Sequence, residues 1–313
     1  MSIAEVVVLQ QLVNGLSLGM MYALLALGFT MVYGIIELIN FAHFNVFMSG
    51  TFFGLWFLAF LGFGRNARPI NDFSLVLVLI GAFAFTMVVT GLLGTIIERL
   101  CLKPMRGVSG TAPMITTIGV SLILQSLILF ASNFANNVPF PGIVPDQRWG
   151  VFGSPVQITL KNALLWASAL VLMLILDHFV RRTWLGKAMR ATAQDPEAAR
   201  MMGIRIDVVI LLTFFIGSAL AGAAALVFGI YYGLTSYIVG YLAGLRAFTA
   251  AVVGGIGNIP GAVLGGLLIG FVEALSGHFI GNAWSDAVIF SILIFVLVFK
   301  PNGLLGMQRP QRA

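Results

Sequence analysis

FTAAVVGGIGNIPGAVLGGLLIG, residues 248–270, decides how this chain is threaded through a bilayer. Both ends are apolar, but GGIGNIPG at 254–261 holds four glycines and a proline. Glycine disfavours a helix interior by about 1 kcal/mol relative to alanine, and proline removes a backbone donor, so one regular helix cannot run through. The segment 247–274 therefore reads as a broken or re-entrant hairpin. Non-helical backbone at membrane depth is tolerated only when buried in protein or beside water. The hairpin is thus expected to face the core of a bundle or a pathway, away from lipid.

The rest of the chain supports a membrane setting. Of 313 residues, 59% are hydrophobic and only 9% are charged, far from the balance of a soluble domain. Apolar runs at about 20 residues each suit transmembrane helices, and spans are expected at 10–36, 41–62, 74–97, 113–133, 163–180, 208–229 and 286–300. Residues 230–246 read as an interfacial or re-entrant addition. No polar segment is large enough to fold separately, so 1–313 is expected to be one transmembrane domain. The fold class is all-α, a polytopic integral membrane helical bundle. MSIAEVVVLQ lacks a basic region and a cleavage site, so the first apolar run is expected to remain as a helix.

Lys and Arg set the orientation. Arg99, Lys103 and Arg106 lie in one connection, Arg181 to Arg205 in another, and Lys300, Arg309 and Arg312 at the end. Placing these three inside the cell satisfies the positive-inside rule. The alternation closes only if 247–274 enters and leaves on one side, which puts the N-terminus outside. Arg65 and Arg68 then fall outside, against the rule. The +6 formal charge is a topology signal rather than a nucleic-acid surface. Cys101 cannot form a disulfide framework, and the histidines at 43, 178 and 278 lack zinc-site spacing. No metal is expected.

Glycine pairs such as Gly15/Gly19, Gly261/Gly265 and Gly266/Gly270 predict close helix packing. GLLGTIIERL (91–100) and GLLIGFVEAL (266–275) share Leu and Glu positions, as inverted halves of a transporter would.

The polar connection 181–207 contains LGKAMRATAQDPEAARMMGI, residues 185–204. Asp195 reads as a helix cap, Pro196 as the first helical residue with Glu197 after it, and Gly203 as a left-handed stop. The predicted helix, 196–202, is too short to stand alone. Ala198, Ala199, Met201 and Met202, with the charges of Glu197 and Arg200, suit a partner's groove. An amphipathic piece, 184–194, braces it against the membrane.

These stretches together resemble one family, the permease subunits of bacterial branched-chain amino acid ABC importers. The resemblance covers essentially the whole chain and is carried by GLSLGMMYALLALGFTMVYGI (15–35), INFAH (39–43), 185–204, 248–270 and KPNGLLG (300–306). It implies a multi-pass chain in the bacterial cytoplasmic (inner) membrane that forms the path for branched-chain or related amino acids. It implies that Asp195, Pro196, Glu197, Ala198, Ala199, Arg200, Met201, Met202 and Gly203 form a coupling helix docked on an ATPase. The implied partners are a second homologous permease subunit, two ATP-binding subunits and an extracytoplasmic substrate-binding protein. ATP and Mg would be bound by those partners, and no cofactor by this chain; no G-x-x-x-x-G-K-[ST] occurs in it. Where the family continues AHG with a small or acidic residue, Phe44 and Asn45 stand here.

Polar groups within spans are costly unless paired or facing water. Glu37, Asn40, His43 and Asn45 are pathway candidates, with Gly254, Gly255 and Asn258 of the hairpin; capping by Asn40 and a backbone bond from His43 is the bland alternative. Asn14, Thr116, Thr117 and Gln125 read as interhelical hydrogen bonds. Glu273 and Arg246 are opposite charges that the hairpin could bring together. Loop 134–162 is long enough to meet an external protein.

Three rivals remain. GLSLG at 15–19 matches a nucleophile-elbow pattern, but the elbow needs a strand, a turn and a helix. An intramembrane serine protease would use Ser109 and His278. A self-contained secondary transporter would need acids to carry protons, and Glu37, Glu98, Asp177 and Glu273 all lie near span ends.

Overall fold

The computed structural model describes residues 3–65, 67–108, 111–150 and 155–306. Its helices are α1 (Ile3–Ile36), α2 (Ala42–Phe60), α3 (Ser74–Ile97), α4 (Ala112–Ala131), α5 (Leu160–Arg182), α6 (Trp184–Gln194), α7 (Pro196–Met201), α8 (Ile206–Tyr232), α9 (Val239–Gly254), α10 (Ile259–Ser276) and α11 (Asn282–Phe299). Two-residue strands β1 (Val138–Pro139) and β4 (Leu234–Thr235) pair antiparallel, as do β2 (Arg148–Gly150) and β3 (Gln157–Thr159). Among the described residues, seven helical stretches are long and apolar enough to cross a membrane. The bundle is all-α and polytopic, as the composition predicts.

α1 is the central post. Met21 to Leu27 are buried, and helices α5, α6, α8, α9 and α10 pack around it. Its closest neighbour is antiparallel α10, and glycine makes that approach possible. A Cβ on Gly266 would lie 2.6 Å from the Ala23 Cα, and one on Gly19 would lie 2.8 Å from the Leu267 Cα. The expected small-residue packing is therefore realised as backbone-to-backbone contact. A second seam joins α3 to α8, where Gly91 meets the Phe215 ring.

Leu77, Ile80, Leu122, Ile123, Leu174 and Ile294 point outward from α3, α4, α5 and α11. Such broad apolar surface suits acyl chains.

The broken hairpin is present, with two corrections. Its arms are α9 and α10, reversed at 255–258 through Gly255 (φ 110°) and Gly257 (φ 88°). The tip lies beside Gly34, near the end of α1, so the arms traverse most of the bundle instead of dipping into it. The interfacial element expected at 230–246 is instead the end of α8, β4 and the first half of α9. The apolar stretch 259–299 also turns back, through a π-helical turn at Gly277–Gly281 and Gly281 (φ 113°). α11 then returns to the hairpin tip, where Leu304 N–H donates to the Val253 carbonyl at 2.8 Å and Leu305 N–H to the Gly254 carbonyl at 3.0 Å.

The basic connections gather at one end, as the charge pattern requires. Leu102 packs with Val32, Ile36 and Ile206, and Lys103 and Arg106 reach Asp207. Loop 134–162 is more than solvated chain, because Phe140, Ile143 and Val144 are buried in a separate cluster with Leu58 and Leu226.

Candidate coupling surface and buried polar groups

The surface at the basic end is built by capping. Thr183 begins α6 by accepting from Gly186 N–H at 3.1 Å, and α6 buries Ala188, Met189 and Thr192 against the bundle. α7 follows at once. Asp195 Oδ1 accepts from Glu197 N–H at 2.9 Å and Ala198 N–H at 3.0 Å, and Pro196 occupies the first turn. At the other end Gly203 takes φ 81°, with Gly203 N–H on the Arg200 carbonyl and Ile204 N–H on that of Ala199. The predicted helix 196–202 ends one residue early, with Met202 as its cap.

One expectation fails here: Ala199 is 4% exposed and faces the bundle, so it offers no surface to a partner. α7 packs there on α6 and on α8. What the helix displays is Met201 and Met202, 88% and 82% exposed, beside Glu197, Ala198 and Arg200. Replacing Asp195 with Ala should destabilise the helix by about 1 kcal/mol. Faster amide hydrogen exchange at Glu197 and Ala198, largely restored by Asp195→Ser, is the expected readout.

Sequence reading missed a clamp beside this surface. Arg106 binds the buried Glu98 and also Asp207 Oδ1 at 2.5 Å, while Lys103 Nζ holds Asp207 Oδ2 at 3.0 Å. The turn between α3 and α4 is thereby tied to the first residues of α8, immediately after α7.

The residues at 37–45 fasten the α1–α2 break to α4. Asn40 Oδ1 accepts from Ala42 N–H at 3.1 Å, Phe41 N–H donates to Thr117 Oγ1 at 3.2 Å, and Asn45 Nδ2 donates to Ser121 Oγ at 2.7 Å. His43, 1% exposed, lies against Gly28 and stacks edge-on with Phe29. Gly254, Gly255 and Asn258 form the hairpin tip, with Asn258 Nδ2 donating to the Leu305 carbonyl at 2.6 Å. These two groups of pathway candidates thus occupy separate junctions; Glu37 ends α1 with φ 54° and its N–H on the Tyr33 carbonyl, and the other six are engaged in packing or hydrogen bonds in this conformation. Among the other polar candidates, Asn14 bonds within α1 and Thr116 to its own helix, so neither makes the expected interhelical bond; Thr117 does.

The pair Arg246–Glu273 forms, at 2.5 Å between Nη1 and Oε1. Sequence reading missed its companions: Arg246 Nε donates to Asp286 Oδ1 at 2.8 Å, and Tyr22 donates to Glu273 Oε2 at 2.6 Å. A lone aspartate near a helix start carried no signal of such a contact.

The enzyme rivals find no support in this geometry. Ser17 lies within α1, bonded to the Val13 carbonyl and accepting from Asn162 and Trp166, so GLSLG makes no elbow. Ser109 lies outside the described residues. Its neighbour Val108 follows the turn packed near Val32, whereas His278 follows α10 where that helix passes Gly15, about 25 Å away along α1. Among the described residues no cluster of three or more His, Cys, Asp or Glu could hold a metal.

A central post, a broken hairpin and a capped helix displayed at the basic end define a polytopic membrane helical bundle. Comparison with known proteins narrows the class. The family model described as "Branched-chain amino acid transport system / permease component" matches residues 11–297. The chain is 42% identical to the high-affinity branched-chain amino acid transport system permease protein BraD of Pseudomonas aeruginosa, over 97% of this chain and 96% of that one. It is 40% identical, with the same coverage, to the corresponding LivH permease of Escherichia coli. A probable LivH permease of Methanocaldococcus jannaschii is 28% identical over 64% of this chain and 60% of its own length. The chain belongs to the family of branched-chain amino acid transport system permease components.

Proposed function

We propose that this chain is the membrane-spanning subunit of an ATP-binding cassette importer for branched-chain or related amino acids, in a bacterial inner membrane. A second homologous permease, two ATP-binding subunits and an extracytoplasmic binding protein complete the assembly, with ATP and Mg on the ATPases. The names of BraD and LivH support the substrate class. The observation that carries the coupling role is α7, stopped at defined residues on both sides and presenting Met201 and Met202 to solvent. A plain connector needs polarity but no such caps, whereas adaptable thioethers suit a groove in a partner.

In this reading, closure of the ATPases pushes α7. Movement passes through α6 to α5, and through Ile204–Ile206 to α8. The Asp207 clamp adds the α3–α4 turn, so three connections move as one and the outward and inward openings alternate. Asp207→Asn should lower amino acid uptake per ATP hydrolysed in proteoliposomes more than it lowers thermal stability. Its side chain is 61% exposed, so the stability cost should stay under about 1 kcal/mol.

A secondary transporter is disfavoured because three of its four candidate proton carriers are held in ion pairs. Glu98 pairs with Arg106, Asp177 with Arg181, and Glu273 with Arg246.

The deciding experiment is affinity purification of the tagged chain from its own membrane, with mass spectrometry of its companions, repeated for Ala199→Pro. Proline there removes the Ala199 N–H bond to the Asp195 carbonyl and breaks the helix. Recovery of a Walker-motif ATPase that the variant loses is the expected result. A chain that purifies without an ATPase, yet transports in liposomes, would sink the reading.

A further inference from the structure

Arg246, Glu273, Asp286 and Tyr22 converge from α9, α10, α11 and α1, in the half of the bundle away from α7. Two features set the group apart from an ordinary structural ion pair. The first is charge: one guanidinium faces two carboxylates, leaving one formal negative charge uncompensated within helices that belong to the membrane. The second is an exposure gradient. Tyr22 is 1% exposed, Glu273 14%, Arg246 20% and Asp286 37%. The group therefore has a closed floor at α1 and an open mouth at α11.

The bonds made inside the group use Nε and Nη1 of Arg246 and Oδ1 of Asp286. Among the described residues, Nη2 of Arg246 and Oδ2 of Asp286 make no hydrogen bond. A carboxylate open to acyl chains is strongly unfavourable, so the mouth must face water or a polar occupant.

A zwitterion answers both features. Its ammonium supplies the missing positive charge at Asp286, and its carboxylate takes the free donors of Arg246. Leu242, one helical turn from Arg246 and 47% exposed, and Phe290, one turn from Asp286 and half-buried, place apolar surface on the same helix faces. An aliphatic side chain would lie there.

We propose that the mouth of the Arg246–Asp286 pair contacts the zwitterionic backbone of the transported amino acid. The proposal rests on the permease function above. Arg246 Nη2 binds the carboxylate and Asp286 Oδ2 the ammonium. Glu273 and Tyr22 are positioning residues that fix the guanidinium from behind.

The test uses the complete importer in proteoliposomes with L-leucine as probe. Two variants are needed, Asp286→Asn and, in a Cys101→Ser background, Leu242→Cys. Asp286→Asn should still copurify with its partners but take up leucine at least about tenfold more slowly, as loss of a charge-assisted contact predicts. Leu242→Cys should react with a membrane-impermeant methanethiosulfonate, and leucine should slow that reaction. The proposal is overturned if Leu242→Cys is unreactive in both nucleotide-free and vanadate-trapped complexes, as burial in lipid or in a second permease would make it. It is equally overturned if leucine leaves the labelling rate unchanged, or if Asp286→Asn transports at the wild-type rate. Should Asp286→Asn fail to assemble, the labelling decides alone. A wild-type complex that takes up no leucine would instead overturn the function on which the proposal rests.

Discussion

Gly266→Val should destabilise the folded chain by about 3 kcal/mol or more, at the upper end of what overpacking costs. The reason is geometric. Any Cβ at this position meets backbone atoms of Ala23, at 2.6 Å from both N and Cα, and backbone cannot swing aside as a flexible side chain does. Relief requires α10 to move away from α1, which would open the largest helix-to-helix contact in the bundle. The measurement is the thermal midpoint of the purified chain in mild detergent, together with its abundance in the membrane. Gly119→Val supplies the comparison, because a Cβ on Gly119 of α4 meets nothing within 4 Å. Equal midpoints for the two variants would show that the α1–α10 seam does not hold the bundle together.

Arg246→Met should cost about 3–5 kcal/mol, because it strands a mostly buried carboxylate without its partner. Glu273 bears most of that penalty, since Asp286 is open enough for solvent to screen it. The triple replacement Arg246→Met, Glu273→Gln and Asp286→Asn should recover much of the stability, as exchanging a buried ionic group for neutral residues often does. A chain equally unstable as the single and triple variants would mean that packing of the long arginine side chain, not charge, is what matters. Stability and transport are expected to separate here: the triple variant regains its fold but not its uptake.

Local signals were legible and tertiary ones were not. Asp195-Pro196 and Gly203 set the ends of α7 because capping involves only residues a few positions apart. The glycines and proline of 254–261 marked the hairpin for the same reason, since backbone conformation at φ near 100° is a property of the residue itself. How deep the hairpin reaches was hidden, because it depends on where Gly257 meets Gly34, and nothing local encodes that contact. Ala199 illustrates the limit within one turn of helix: its small size fits either a partner's groove or a tight floor, and only packing chooses the floor. The ionic cluster was half visible. Opposite charges at 246 and 273 flank a predicted turn, but Tyr22 and Asp286 come from distant helices that the pattern of apolar residues cannot bring together. The family membership was legible from whole stretches, which is why it did not depend on any of these contacts.

The tip of the hairpin also bears on how the chain matures. Its last turn of carbonyls, on Val253 and Gly254, is satisfied by Leu304 and Leu305, which follow the final helix. During synthesis α9 and α10 precede those donors in the chain, so the tip stays unlocked until α11 and the segment after it have followed. Membrane insertion and completion of the fold are thus separate events in time. Removing residues 303–306 should yield chains that insert with every helix in place yet remain open to proteases at 254–258, recognised by quality control as unfinished.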